Sequence, residues 1–339
     1  MPKGNAFLSR TTVSAVLLLL AAGCGSDDAT GPSGENSFYR QEMRSFVMEL
    51  SSWAKGQHPG FIVIPQNGQE LVTDNGDPGG TLQIAYLASM DATGREDMFY
   101  GYTSDNVPTP ASEAEYLRDL CLVCEENGVQ VLATDYCWTR EYVDDSYQTN
   151  ELYGFISFAA DQRELYTIPG YPADPWNVNS NAVTNIDQAA NFLYLINGDN
   201  YGTKQQFIDA VSQTSYDVVI MDLFHNDEQF TPSDLYQIRV KSDGGERLLI
   251  CYMSIGEAED YRYYWDPAWN TQKPSWLGNE NPDWPGNYKV EYWDPAWEAI
   301  IFGNDESYLQ RIIDTGFDGA YLDVIDAFEY FENLSVRRN

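Results

Sequence analysis

The chain has 339 residues, of which 43% are hydrophobic and 14% aromatic, and its 52 acidic and 19 basic side chains give a formal net charge of −33. This hydrophobic content excludes a largely disordered chain. The acidic field repels phosphate backbones, so we expect no nucleic-acid partner. Such a field suits a cationic substrate such as an amino-sugar polymer, although a solubilising surface explains it more simply.

The N-terminus has the pattern of a bacterial lipoprotein signal. Basic residues precede an apolar run over residues 13–22, and small residues stand directly before Cys24. The run is about half as long as the ~20 residues that a membrane-spanning helix needs. We predict that residues 1–23 are a signal peptide, that Cys24 is lipidated, and that residues 24–36 form a flexible tether. The protein would then be exported and anchored by lipid at the bacterial cell envelope; an ordinary signal peptide is the alternative.

Residues 37–333 are predicted to form one α/β domain. Phe38–Leu50 has apolar residues at helical spacing, and no strand precedes it. Eight short apolar runs then predict parallel strands that are covered on both faces. These runs are Phe61–Pro65, Asp91–Glu96, Val129–Thr134, Gly154–Phe158, Phe192–Ile196, Asp217–Asp222, Arg247–Met253 and Gly319–Ile325. Eight strands with helical patterns between several of them predict a (β/α)8 TIM barrel with its site at the strand C-termini.

The order of these elements predicts a circular permutation. The last strand ends in carboxylates, and we expect no helix between it and Asn339. The helix at Phe38–Leu50 would complete this final strand–helix unit if the two ends of the chain were joined. A barrel tolerates such a permutation because its termini lie close together. We place the joined ancestral termini in the long polar segment Asp161–Ala190.

The cysteines do not predict a metal site. Cys121 and Cys124 form C-x-x-C inside an amphipathic helical pattern, where both thiols suit a core. No second pair stands at zinc-site spacing, so we expect no structural zinc, no other metal and no cofactor. A disulfide to Cys137 stays open, as does the state of Cys251.

Polar side chains follow most of the predicted strands. Because the C-terminal ends of barrel strands meet at one rim, we expect these residues to converge on a binding site. They are Gln66, Asn67, Glu96, Asp135, Asp222, Glu257, Asp323 and Asp326. Capping explains any one of them, but not the whole set.

An aromatic segment lies beside these acids, between Glu257 and Trp293. It includes Trp276 and Trp284, interleaved with proline and glycine. Flat rings stack on the apolar faces of sugars while carboxylates accept sugar hydroxyls. The segment therefore favours carbohydrate binding; a satellite core that pins a long loop is the alternative.

Several motifs resemble those of one enzyme family. They are Met253–Arg262 (MSIGEAEDYR), Pro274–Gly278 (PSWLG), Trp284–Tyr288 (WPGNY), Gly316–Asp323 (GFDGAYLD) and Ile64–Gly68 (IPQNG). These residues resemble the endo-α-1,4-polygalactosaminidase-related proteins, glycoside hydrolase family 114 and its bacterial relatives. In those relatives the block similar to residues 38–153 follows the last strand, which agrees with a permutation.

The resemblance implies a glycoside hydrolase that cleaves an α-linked amino-sugar polysaccharide with two carboxylates. The signal pattern at Cys24 adds surface anchoring, and we expect a monomer. The resemblance also implies Asp323, with either Glu96 or Asp294, as the catalytic pair, and Asp326 within the same strand end. The other polar strand-end residues would then position sugar hydroxyls. A non-catalytic glycan-binding lipoprotein is the first alternative. A divalent metal held by Asp222, Asp323 and Asp326 is a weaker one.

Overall fold

The computed structural model describes residues 34–338, and side chains from residue 38 to residue 335. The predicted signal peptide, the lipidation site Cys24 and tether residues 24–33 lie outside the described residues. The first helix begins at Gly34, so the last three residues of the predicted tether are helical instead. Within the described residues, no helix is long and apolar enough to cross a membrane.

The secondary structure alternates strands and helices along most of the chain. The strands are β1 (Ile62–Pro65), β2 (Ala92–Glu96), β3 (Gln130–Tyr136), β4 (Ile156–Ala160), β5 (Phe192–Tyr194), β6 (Val218–Met221), β7 (Phe224–His225), β8 (Glu228–Gln229), β9 (Leu248–Ser254), β10 (Glu257–Glu259), β11 (Leu277–Glu280), β12 (Asn287–Val290) and β13 (Gly319–Asp323). The helices are α1 (Gly34–Gln57), α2 (Ile84–Leu87), α3 (Ala111–Glu126), α4 (Arg140–Leu152), α5 (Lys204–Ser212), α6 (Pro232–Ile238), α7 (Pro295–Ile301), α8 (Tyr308–Thr315) and α9 (Ala327–Arg338).

All eight predicted strands are present, and they pair in parallel. Five form one sheet in the order β1-β13-β9-β6-β5, and three form a second sheet in the order β2-β3-β4. A parallel bridge between Gln66 and Gly94 connects the end of β1 to β2. At the other edge, the rings of Phe158 in β4 and Phe192 in β5 are 5.7 Å apart. The protein is therefore an α/β protein with a TIM-barrel-like arrangement of parallel strands.

The expectation that no helix follows the last strand is wrong, because α9 follows β13. This helix packs on α1. Arg40 of α1 forms a 2.9 Å ion pair with Glu332 of α9, and the rings of Tyr39 and Phe331 stack with their centroids 5.5 Å apart. The two ends of the described chain thus lie side by side, as a joined strand–helix unit requires.

The aromatic segment folds into an antiparallel sheet, β10-β12-β11, beside the parallel strands. Trp276 lies at its base and is only 4% exposed. Its ring contacts those of Trp269 and Trp297, at centroid distances of 5.1 and 5.2 Å. Trp276 therefore packs in the main hydrophobic core and does not present a face to a sugar, contrary to the prediction.

The four described cysteines have free thiols, and all four are buried. Cys121 and Cys124 lie on the inner face of α3 among other core residues. Burial raises the pKa of the Cys121 thiol to about 12. This pair therefore serves as core packing.

The interior beneath the strand ends has no room for a side chain at Gly94. A Cβ atom there would lie 1.9 Å from the hydroxyl oxygen of Tyr321, whose ring is fully buried. We expect Gly94→Ala to lower the free energy of unfolding by about 3 kcal/mol, because the rigid ring must shift within a packed core. Urea unfolding measures this loss. Gly79→Ala is the control, since a Cβ there meets nothing within 4 Å, and equal stability of the two variants would contradict the packing argument.

Candidate active site

Three neighbouring strands end in a left-handed backbone conformation at a residue other than glycine. Asn67 after β1 has φ 59°, Asp97 after β2 has φ 58°, and Val324 after β13 has φ 62°. Each such residue costs about 1–3 kcal/mol, and a β-branched residue such as Val324 is a genuine outlier. Strain of this kind concentrates at functional sites. The three turns surround the carboxylates of Glu96 and Asp323.

Glu96 ends β2 and is held by hydrogen bonds from two directions. The Asn67 amide donates from Nδ2 to Oε2 at 3.0 Å, and Asn67 Oδ1 accepts from the Glu96 backbone N–H at 3.1 Å. The hydroxyl of Tyr136, at the end of β3, donates to Oε1. These hydrogen bonds fix the orientation of the Glu96 side chain.

Asp323 is the last residue of β13, and its carboxyl group accepts two hydrogen bonds. The Tyr252 hydroxyl donates to Oδ2, and the Val324 backbone N–H donates to Oδ1 at 2.7 Å. Burial, and after it the negative charge of Glu96, raise the pKa of the Asp323 carboxyl from 3.8 to about 7. Asp323 therefore holds a proton close to neutral pH, beside the carboxyl group of Glu96.

The raised pKa of Asp323 makes this site a source of instability in alkaline solution. The folded protein binds the Asp323 proton up to about pH 7, whereas the unfolded chain releases it near pH 4, so stability falls as the pH rises through this window. We expect Asp323→Asn to raise the free energy of unfolding by about 2 kcal/mol at pH 8, after discounting for partial exposure, and to change it little at pH 4. Urea unfolding at the two pH values measures the difference. An equal effect at both values would contradict the assignment.

Two further predicted residues lie next to this pair. Asp326 is exposed and lines a cavity of about 480 Å³ together with Asn67, Arg95 and Asp97. Gln66 is buried, and its Oε1 accepts a 2.8 Å hydrogen bond from the Tyr194 hydroxyl inside the sheet. Asp326 can therefore reach a ligand, whereas Gln66 supports the floor of the site.

The predicted sugar-binding acids Asp222 and Glu257 are occupied by ion pairs. Arg262 bridges Asp222 and the buried Glu259, with nitrogen–oxygen distances of 2.7 and 2.6 Å. Lys289 pairs with Glu257 at 2.5 Å, and Glu257 is 2% exposed. The alternative metal site is not assembled either, because no cluster of three His, Cys, Asp or Glu residues in the described part of the chain could hold a metal ion.

Asp135 and Asp294 lie outside the site. Asp135 is fully buried and accepts hydrogen bonds from the Ser146 hydroxyl, the Asn150 amide and two backbone N–H groups on the helix side of β3. Asp294 caps α7, where its side chain accepts from the Ala296 backbone N–H at 2.8 Å. Both roles are structural, so the structure favours Glu96 over Asp294 as the partner of Asp323.

The segment that forms the antiparallel sheet carries two exposed aromatic rings. Trp284, in the turn between β11 and β12, is 50% exposed, and Tyr261, which follows β10, is 59% exposed. The Tyr261 hydroxyl donates to Glu259 at 2.6 Å, which fixes its ring. These two rings can offer stacking surfaces to a sugar.

Sequence reasoning missed the tyrosines that hold the two carboxylates. Tyr136 and Tyr252 lie on β3 and β9, and their hydroxyls reach Glu96 and Asp323. The alternation of side chains along a strand carries a signal for them. Tyr321 and Asp323 are two residues apart and therefore lie on the same face of β13, and Tyr252 is the partner of Tyr321 on the neighbouring strand. The residues of each strand that face the barrel interior could have been assigned from this two-residue alternation.

The C-terminal half of the chain is similar to a known protein family. Residues 174–339 match the model of Glycoside-hydrolase family GH114. This region contains Asp323, Asp326 and Asp294, whereas Glu96 precedes it.

Three relatives are similar over part of their length, each described as an uncharacterized protein. The Thermotoga maritima relative is 42% identical over 140 residues, which are 41% of this chain and 42% of the relative. The Methanocaldococcus jannaschii relative is 39% identical over 153 residues, 45% of this chain and 42% of the relative. The Deinococcus radiodurans relative is 44% identical over 132 residues, 39% of this chain and 40% of the relative. The chain thus spans about two fifths of the length of these relatives. Residues 174–339 of the chain are thus similar to glycoside hydrolase family GH114, the family that the motifs predicted.

Proposed function

We propose that the protein hydrolyses an α-linked amino-sugar polysaccharide by means of Asp323 and Glu96. The observation that carries this proposal is the difference between the two carboxyl groups. Asp323 has its pKa raised to about 7, whereas Glu96 accepts hydrogen bonds from Tyr136 and Asn67. Pairs of carboxyl groups in contrasting environments divide acid and base roles in glycoside hydrolysis.

The division of roles gives a balanced reaction. Asp323 donates its proton to the glycosidic oxygen as the bond from that oxygen to the anomeric carbon breaks. The Glu96 carboxylate either bonds to the anomeric carbon, with water hydrolysing the adduct later, or removes a proton from the attacking water. In both cases one water is consumed, and one new reducing end and one hydroxyl are formed.

The surroundings of the pair support a polymer that carries amino groups. The cavity beside Asp326 is also lined by the acids Glu70, Glu113 and Glu329, against the cations Arg40 and Arg95. The excess of negative charge favours ammonium groups. Trp284 and Tyr261 offer exposed ring faces on the antiparallel sheet segment.

Non-catalytic glycan binding is the competing function, and it predicts that the acids are neutralised by cations. Asp222 and Glu257 are neutralised in this way. Among the described residues, however, no Lys or Arg ion pair includes Asp323 or Glu96. This difference favours hydrolysis.

We propose further that the two parallel sheets close into a permuted barrel. The bridge at Gln66 and Gly94 supports one junction, and the contact between Phe158 and Phe192 supports the other. The packing of α9 on α1 places the two described ends together, which a permutation requires and an ordinary closed barrel also shows, so the permutation rests on the sequence motifs. Export, anchoring through Cys24 and a monomeric state belong to the same proposal and rest on the sequence pattern.

The test is the release of new reducing ends from partly deacetylated α-1,4-galactosaminogalactan by the purified protein. Binding of the same polymer is measured in parallel by isothermal titration calorimetry. Release supports the hydrolase, and binding without release supports the glycan-binding alternative. If the protein neither bound the polymer nor released reducing ends from it, this polymer would be rejected as the ligand.

A further inference from the structure

Arg163 lies outside the pair formed by Glu96 and Asp323. Its side chain contacts Tyr136, whose hydroxyl donates a hydrogen bond to Glu96. Arg163 belongs to the long connection between β4 and β5, three residues after the end of β4. Its guanidinium carbon lies 3.9 Å from the centre of the Tyr136 ring. The hydroxyl of that ring donates the hydrogen bond to Glu96 Oε1.

The guanidinium is locked in place by the loop that follows Glu96. Its Nη2 donates to Asp97 Oδ1 at 2.7 Å and to the Gly101 carbonyl oxygen at 3.2 Å, and its Nε donates to Asp105 Oδ1 at 2.9 Å. A Cβ at Gly101 would lie 2.1 Å from Asp97 Oδ1, so the loop itself is closely packed here. These hydrogen bonds hold the Arg163 guanidinium over the face of the Tyr136 ring.

A cation over the face of a phenol makes its hydroxyl a stronger donor, because negative charge that develops on the oxygen is stabilised. Burial, and after it the charge of Glu96, hold the pKa of Tyr136 well above its ordinary value, whereas the charge of Arg163 acts in the opposite direction. A stronger donor forms a stronger hydrogen bond to Glu96 Oε1 and holds that side chain more firmly in place.

We propose that Arg163 is a positioning residue, which sets the strength of the hydrogen bond from Tyr136 to Glu96 and thereby the reactivity of Glu96. This inference rests on the proposed function for its catalytic consequence. The hydrogen bond itself can be measured without any activity. The long β4–β5 connection therefore contributes to the site through one side chain.

The kinetic test uses Arg163→Lys, which keeps the positive charge beside Asp97 and Asp105 but lacks the planar group that lies on the ring. We expect kcat on partly deacetylated α-1,4-galactosaminogalactan to fall about tenfold with KM changed less than about twofold, and the acidic limb of the pH profile to move to higher pH. In a Tyr136→Phe background the same substitution should have no further effect. The control is Arg140→Met, whose guanidinium lies 4.8 Å from the Tyr171 ring, outside the site.

The second test reads the tyrosine directly, by NMR of protein labelled with ¹³C at the tyrosine Cζ position. The Tyr136 signal is assigned by its loss in Tyr136→Phe. We expect it to shift in Arg163→Lys and to stay in place in Arg140→Met. An unmoved signal, or equal effects of Arg163→Lys in the wild-type and Tyr136→Phe backgrounds, would overturn the inference. If the wild type released no reducing ends, the proposed function would fail while the NMR result still decided the role of Arg163.

Discussion

Asp323→Asn should abolish the release of reducing ends, with a loss of about 10³-fold or more in kcat. The amide cannot donate the proton that the leaving oxygen needs, and general acid catalysis contributes about 10²–10⁴-fold. The substitution keeps the shape of the side chain and an acceptor for the Tyr252 hydroxyl, so the fold should persist.

The stability measurement described above separates catalysis from folding. A variant that is more stable at pH 8 and yet inactive has lost chemistry rather than structure. Retention of more than about a tenth of the wild-type kcat, well short of the loss expected for a missing general acid, would contradict the role of Asp323.

Glu96→Gln should cause a loss of similar size, whereas Asp294→Asn should leave activity within about twofold of wild type. Glu96 faces Asp323 closely enough for its charge to raise the Asp323 pKa, whereas Asp294 caps α7. Asparagine caps a helix about as well as aspartate. Initial rates of the two variants at saturating polymer decide between the candidates that the motifs left open. The reverse pattern, with an active Glu96→Gln and an inactive Asp294→Asn, would show that α7 carries the second carboxylate.

The positions of the strands followed from the sequence because continuous apolar runs can be buried on both faces only in a covered parallel sheet. All eight runs became strands, with ends that moved by one or two residues. The register within each strand was harder to assign. Asp135 was grouped with the rim, yet its neighbours Thr134 and Tyr136 face the interior, and a shift of one residue turns a side chain to the opposite face.

The occupied acids could not be recognised from the sequence. Asp222 and Glu257 are unavailable to a sugar because they form ion pairs with Arg262 and Lys289, two cations of the aromatic segment. Nothing in the local pattern states this pairing. The exposed and buried tryptophans, Trp284 and Trp276, were equally indistinguishable, since both stand among prolines and glycines in the same segment.

Helix α9 was missed for a related reason. A segment of 12 residues forms a marginal helix by itself. Its stability comes from packing against α1, with Arg40 paired to Glu332, 292 residues away in the sequence. A contact at that separation is invisible to local patterns, although the unpaired helix Phe38–Leu50 already indicated that the two ends of the chain meet.

A crystal structure of Glu96→Gln with a bound amino-sugar oligosaccharide would show whether the glycosidic bond is cleaved between Asp323 and Glu96. We predict that a glycosidic oxygen lies within hydrogen-bond distance of Asp323, about 2.6–3.2 Å, and that the anomeric carbon of the same bond faces the side chain at position 96. An oligosaccharide bound instead in the groove lined by Lys273, Trp293 and Tyr330, with no sugar atom near Asp323, would contradict the account.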